Sequence, residues 1–252
     1  MRVLGLTFVR NAEAHLQDAM DSMASYCDTV CTIDDRSTDR TGDILRAHPA
    51  VSNVFIVDPV VSHEPWHFPE SWLLNALYRM ADFYSPDWVV MLSADERIDP
   101  ADRVRERLEA ASPEVSGVRM HLISAWNDPD YPHMVPVMGQ GRALVCRVWR
   151  YRPGLIASGK RLHNHYSPVN LLDFGRLEYL PDLHIAHSGW STLAERIAKV
   201  DLYSSLDPHL ELNEGVPYDV GLLFGYERDR IDELIQEYER RVALIRDPRA
   251  GS

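Results

Sequence analysis

Two short acidic runs carry the residue types best suited to chemistry: Asp34-Asp35-Arg36-Ser37-Thr38-Asp39 and Ser93-Ala94-Asp95-Glu96. Each follows an apolar run, Thr29 to Ile33 and Trp88 to Leu92, with the length and β-branched content of a buried strand. A carboxylate at a strand end can hold Mg²⁺ or Mn²⁺, ions that keep coordination positions open for phosphate oxygens. Asp95, directly after the second run, is placed for that task. Each run taken singly also suits plain structural work. Asp34, Asp35 and Asp39 are ordinary turn and capping residues, and Asp95 with Glu96 could supply negative charge ahead of a helix from Arg103 to Ala110.

Other candidate patterns lose on local grounds. His63-Glu64-Pro65-Trp66-His67 fits H-E-x-x-H, but zinc hydrolysis needs both histidines on one helix face. Pro65 and Pro69 break that helix, so Trp66 and His67 read as cleft-lining or packing residues. Gly139-Gln140-Gly141 is a fragment of a dinucleotide fingerprint, and no G-x-x-x-x-G-K-[ST] loop occurs. Cys27, Cys31 and Cys146 are too few and too scattered for a disulfide framework or a four-thiolate zinc site, and read as buried free thiols.

The elements that must position the acidic runs follow from hydrophobic period. Residues 2 to 9 form a strand buried on both faces, and Leu16, Ala19, Met20 and Met23 mark an amphipathic helix from Glu13 to Tyr26. The second strand, Thr29 to Ile33, leads to a helix from Arg40 to Ala47, with Ser37 or Asp39 as its cap. A third strand is expected over Val54 to Val57, a helix over Ser71 to Phe83, and a fourth strand over Trp88 to Leu92. This βαβαβαβ order predicts a mostly parallel sheet with flanking helices, and ligands beyond the carboxyl ends of its strands. Shorter strands at Gly117 to Ile123 and Ala143 to Trp149, among Pro- and Gly-rich loops, predict a smaller mixed β extension. Residues 192 to 205 and 226 to 245 are helical by period, and the stripe Ile231, Leu234, Ile235, Tyr238, Val242 and Ile245 suits core or a homo-oligomer contact. Between them, Gly215, Gly221 and Gly225 fit a surface loop or lid.

With 252 residues and 45% apolar content, the chain can bury one substantial core. Its net charge of -12 argues against nucleic-acid and anionic-lipid partners. No apolar run approaches the roughly 18 to 20 residues of a spanning helix. The opening MRVLGLTFVRNAEAH lacks the apolar core and cleavage site of a signal peptide, so a cytoplasmic location is expected.

Three blocks, FVRNAEAHLQDAMDS, TIDDRSTDRT and DWVVMLSADERI, occur in order over the first hundred residues. Together they resemble the GT-A fold glycosyltransferases of family 2, in their bacterial form with a DADE-type motif. The middle block is similar to that family's "vvDDgStDgT" segment and the third to its metal-binding "lflDaDE". Downstream, RVWRYRP, LHNHYSPV and HIAHSGWSTLAERIAKVDLY resemble the acceptor side and the histidine-bearing tail, extending the likeness to about residue 203.

The resemblance implies an inverting transferase of hexosyltransferase type that moves a sugar from a nucleotide-diphosphate donor, UDP by family habit. The acceptor is a glycan, a lipid-linked molecule or a small natural product. It implies nucleotide contacts from Phe8, Arg10, Asn11, Asp34, Asp35, Asn75, Ser93 and Ala94, and Mg²⁺ or Mn²⁺ held by Asp95 with His187. Four residues depart from the family pattern. Ser93 replaces the first aspartate of the metal motif, and Ala12 stands where a glutamate commonly follows Asn11. Leu74 replaces an arginine expected at the diphosphate, which shifts that duty toward Arg10, Arg142 or Lys160. Asn164 replaces the acid that would take the acceptor's proton, leaving His163, His165, Asp128 and Asp130 as alternative catalytic bases.

Residues 1–210 are expected to form the catalytic domain, 1–115 as its nucleotide-binding half and 116–210 as its acceptor half, with 211–252 as a loop and helix appendage. Two rival functions use similar parts. A non-catalytic sugar-nucleotide-binding module fits Ser93, Leu74 and Asn164. A nucleotidyltransferase would need a Gly-rich basic phosphate loop, which Arg10-Asn11-Ala12-Glu13 is not.

Overall fold

The computed structural model describes residues 1–57, 70–124, 142–159, 166–189, 192–207 and 209. The elements are β1 (Val3–Val9), α1 (Leu16–Tyr26), β2 (Thr29–Asp34), α2 (Thr41–Ala47), β3 (Val51–Ile56), α3 (Glu70–Tyr84) and β4 (Trp88–Met91). There follow β5 (Glu96–Asp99), α4 (Val104–Ala110), β6 (Val115–Ser124), β7 (Arg142–Arg150), β8 (Arg176–His187) and α5 (Leu193–Leu206). The helix expected over 226 to 245 and the loop before it lie outside the described residues.

Eight strands join one sheet in the order β3-β2-β1-β4-β7-β6-β8-β5. β1 pairs in parallel with β2 and β4, and β2 with β3, so helices α1, α2 and α3 serve as crossovers. β7 then runs antiparallel to β4, and β5 antiparallel to β8, which makes the expected mixed extension. The parallel strands bring the ends of β1, β2 and β4 to one edge, where the chain turns into the two acidic runs.

The core explains the register. Every residue of β1 except Phe8 is buried, so the strand has no solvent face and needs helices on both sides. α1 buries Leu16, Ala19, Met20, Met23 and Tyr26; α3 buries Leu73, Leu74, Leu77, Tyr78 and Ala81. Each such large side chain contributes about 1.5 to 3 kcal/mol. Gly5 permits the close approach of α1 to β1. A Cβ there would meet Val30 Cγ2 at 3.0 Å, Cys27 Sγ at 3.2 Å and Met23 Sδ at 3.3 Å.

Two strands were not expected from period. β5 is only four residues long, and what looked like charge ahead of a helix is instead a strand lying against β8, with Ile98 opposite Ile185. β8 spans twelve residues, but its burial does not alternate and it contains Pro181. Neither carries the period-2 signal that marks a half-buried strand.

Residues Met1–Leu122 with Leu144–His187 form one compact unit, and Ile123–Ala143 with Ser188–Ser252 a second. In the second, α5 opens with a capping box: Thr192 Oγ1 accepts from the Glu195 amide at 3.2 Å while Glu195 Oε2 accepts from the Thr192 amide at 2.8 Å. Such a cap stabilises a helix start by about 1 kcal/mol. Among the described residues no helix is long and apolar enough to cross a membrane.

Candidate active site

The loops leaving β1 and β2 are tied to each other. Asn11, with φ of 47°, turns its amide to Ser37 Oγ at 2.9 Å, and its own Oδ1 accepts from the Thr38 amide at 2.8 Å. Ala12 donates its amide to Thr41 Oγ1 at 2.7 Å, and Glu13 donates to Asp39 Oδ2 at 3.2 Å. Asp39 also accepts the Thr41 amide at 2.9 Å, and so satisfies a first-turn donor of α2. The asparagine and the serine-threonine-aspartate run therefore act as one frame, which neither block reveals alone.

Within that frame both paired aspartates are buried: Asp34 is 4% exposed and Asp35 fully enclosed. Asp34 Oδ1 accepts the Ser37 amide at 2.9 Å, closing the turn. Asp35 Oδ1 takes Arg36 Nε at 2.8 Å, and its Oδ2 lies 3.7 Å from Arg10 Nη1. Arg10 also donates to the Asp35 carbonyl at 3.3 Å. Asp35 thus holds two guanidinium groups at adjacent strand ends. Arg36 does this from the left-handed backbone region, with φ of 59°, a conformation that disfavours side chains other than glycine.

The second acidic run is a tight turn between β4 and β5. Glu96 returns its Oε2 to the Ser93 amide at 3.0 Å, and the Glu96 amide donates to the Ser93 carbonyl at 3.1 Å. Glu96 is nearly enclosed and meets Arg147 of β7 through two bonds, Nη2 to Oε1 at 2.8 Å and Nε to Oε2 at 3.1 Å. The Arg147 guanidinium also stacks on Tyr166, 4.2 Å from the ring centroid. Tyr166 in turn shares a hydrogen bond of 2.9 Å between its hydroxyl and Ser93 Oγ, and packs edge-on against Phe8 at 5.6 Å. Burial holds the Tyr166 phenol well above its ordinary range, so it stays protonated. The chain Phe8, Tyr166, Ser93 physically joins the end of β1 to the turn after β4.

Asp95 stands on that turn with its Oδ2 3.4 Å from Nε2 of His187, the last residue of β8; the two side chains are 17% and 13% exposed. The register explains the meeting, because Glu96 pairs with His187 across β5 and β8. Two ligands at right angles on Mg²⁺ or Mn²⁺ lie about 3.0 Å apart, given bonds of about 2.1 Å. The pair fits such an ion, and imidazole favours Mn²⁺ over Mg²⁺. Among the described residues no group of three or more His, Cys, Asp and Glu side chains gathers at one point.

The other expected residues are distributed unevenly. Ala94 lies on the turn itself, half-buried. Asn75 is exposed on α3, and its amide donates to the Ser71 carbonyl at 2.7 Å, one turn back on its own helix. Leu74 is fully buried in the core, where a charge would have no water. His163, His165, Asp128, Asp130, Asn164 and Lys160 lie outside the described residues, as does the side chain of Arg142. Sequence reasoning missed Tyr166 and the Glu96 to Arg147 pair. The only signal was an arginine inside the largely apolar run from Ala143 to Trp149.

No protein-family model matches the chain. It is 46% identical, over 98% of its length, to uncharacterized proteins of Mycobacterium tuberculosis and Mycobacterium bovis, and spans 61% of the length of each. Among solved structures, S. aureus TarS in complex with UDP superposes with a TM-score of 0.50 at 12% identity, covering 96% of this chain and 72% of that one. The fold is that of the GT-A glycosyltransferases.

Proposed function

We propose that the chain is a glycosyltransferase that moves a sugar from a nucleotide-diphosphate donor, UDP-linked by preference, to an acceptor hydroxyl with inversion. The observation that carries this reading is the meeting of Asp95 and His187 at the edge where β1, β2 and β4 end. The TarS structure was solved with UDP, and its shared fold is consistent with a nucleotide on this edge. On this reading residues 1–115 hold the nucleotide, 116–210 the acceptor, and 211–252 form an appendage; the location is cytoplasmic.

Each group then has a task. Asn11 and Asp34 shape the loops that face the base and ribose, with Phe8 and Asn75 at their margins. Asp35 orients Arg10 and Arg36, so that guanidinium charge faces the diphosphate without a flexible lysine. Asp95 and His187 would hold Mg²⁺ or Mn²⁺, which supplies positive charge against the diphosphate as the anomeric C–O bond breaks. Ser93 and Ala94 hold the turn. Its backbone is fixed by Glu96, so Asp95 does not have to be ordered when donor binds. Proton removal from the acceptor falls to a residue such as His163 or Asp128.

The test is release of UDP from UDP-glucose, UDP-galactose and UDP-N-acetylglucosamine with Mn²⁺, in water and across an acceptor panel. Turnover that vanishes with EDTA and in Asp95→Ala supports transfer. UDP binding without turnover on any donor supports the second reading, a donor-binding module. That reading draws on Ser93, whose hydroxyl is engaged by Tyr166 where the resembling family has a carboxylate.

A further inference from the structure

β6 lies in the sheet between β7, which carries Arg147, and β8, which ends in His187. Its residues 117, 119 and 121 share one face by the two-residue period of a strand. The face begins closed. A Cβ at Gly117 would meet Leu171 Cδ2 at 2.6 Å, Leu177 Cδ2 at 2.9 Å and Cys146 Sγ at 3.1 Å, so the strand packs there on an apolar floor. Above that floor the next two positions are Arg119 and His121, both half-buried.

Both are short of partners. Arg119 Nε and His121 Nδ1 are buried and make no hydrogen bond, and no ion pair among the described residues includes Arg119. Other half-buried arginines of this unit are satisfied, among them Arg147 by Glu96 and Arg150 by the carbonyls of Ala111, Ser112 and Val115. His121 meets the ring of Tyr179 edge-on at 5.5 Å, and Tyr179 is 41% exposed. A guanidinium without a carboxylate, an imidazole two residues on and an exposed phenol ring make a cationic wall with an aromatic rim.

We infer that Arg119 and His121 form an oxyanion-binding subsite for the acceptor, which therefore carries a phosphate or carboxylate group near the hydroxyl that is glycosylated. The inference rests on the transferase reading for the word acceptor; the subsite itself rests on β6 and on Tyr179 of β8. Arg119 presents a planar fork that matches two oxygens of one anion, and His121 adds a single directed donor. Tyr179 offers an aromatic face for the ring or chain that bears the anion.

The test titrates the full chain with inorganic phosphate, and separately with acetate, by calorimetry in the presence and absence of saturating UDP and Mn²⁺. Phosphate or acetate should bind at a saturable site that persists under UDP. Arg119→Gln should weaken that binding at least tenfold and His121→Asn about threefold or more, with UDP affinity unchanged in both. Arg119→Lys, which keeps the charge but not the fork, should fall between wild type and Arg119→Gln. It also serves if the glutamine variant does not fold. Phosphate dependence without acetate dependence assigns a phosphorylated acceptor, and the reverse a carboxylate. Anion binding that is absent, abolished by UDP, or indifferent to Arg119 overturns the subsite. Loss of UDP binding with anion binding intact would instead count against the donor reading.

Discussion

Asp95 Oδ2 and His187 Nε2 lie 3.4 Å apart although they are far apart in sequence, because β5 and β8 pair with Glu96 directly across from His187. The pairing makes a geometric prediction. Asp95→Ala and His187→Ala should each weaken Mn²⁺ binding by at least about tenfold, and the double variant should be little weaker than either one. Titration of Mn²⁺ followed by electron paramagnetic resonance reads both. Independent, fully additive losses would place the two side chains on separate sites.

Glu96 and Arg147 form a nearly enclosed ion pair that also fixes the Ser93 amide. Removing one partner strands the other, so Glu96→Gln or Arg147→Met should cost about 3 to 5 kcal/mol in urea denaturation. The double replacement by apolar residues should recover part of that loss. A single variant within about 0.5 kcal/mol of wild type would show that the pair does not hold the turn.

Arg36 stands in the left-handed region while pairing with enclosed Asp35. Arg36→Ala loses the pair and keeps the backbone strain; Arg36→Gly loses the pair and relieves the strain. The glycine variant should therefore be more stable than the alanine variant by about 1 kcal/mol. Equal stabilities would mean that the φ of 59° costs nothing in this loop.

Several carboxyls are held below their ordinary value of 3.8. For Asp28, burial works to raise it but is outweighed by the Val3 amide at 2.7 Å and by Arg105. For Asp39, burial is likewise outweighed, by the Thr41 hydroxyl and by the Thr41 and Glu13 amides. A carboxyl depressed by folding contributes stability that is fully present above the unfolded value and lost as pH falls through the folded one. Stability should thus be level from neutrality to about pH 5 and decline steadily below 3.8. Asp28→Asn should flatten that decline in urea midpoints measured between pH 6 and pH 3. An unchanged slope would remove Asp28 from the acid limb.

How much could be read from the residues differs between the two halves of the sheet. Val3–Val9 apart from Phe8, and all of Trp88–Met91, are buried, and α1 and α3 carry clean helical stripes, so the parallel half follows from period alone. β5 and β8 do not, because a four-residue strand and a strand with Pro181 give no alternation to count. The same divide runs through the site. The acidic runs stand out as charges at strand ends, and His187 was reached only through the resemblance of its segment to a family tail. Tyr166 and Arg147 were invisible as site residues, because their roles depend on non-local packing against Ser93, Glu96 and Phe8. Arg119 was likewise silent, since only the fold shows which arginine lacks a carboxylate.

The central claim is that this edge of the sheet binds a nucleoside diphosphate with the help of a metal at Asp95. Calorimetric titration with UDP in Mn²⁺ and in EDTA, for wild type and Asp95→Ala, tests it most directly. The account predicts tight binding only for wild type with Mn²⁺, with EDTA and Asp95→Ala each lowering affinity by roughly 30-fold or more. UDP affinity that is the same in all four titrations, or absent from all of them, would contradict it.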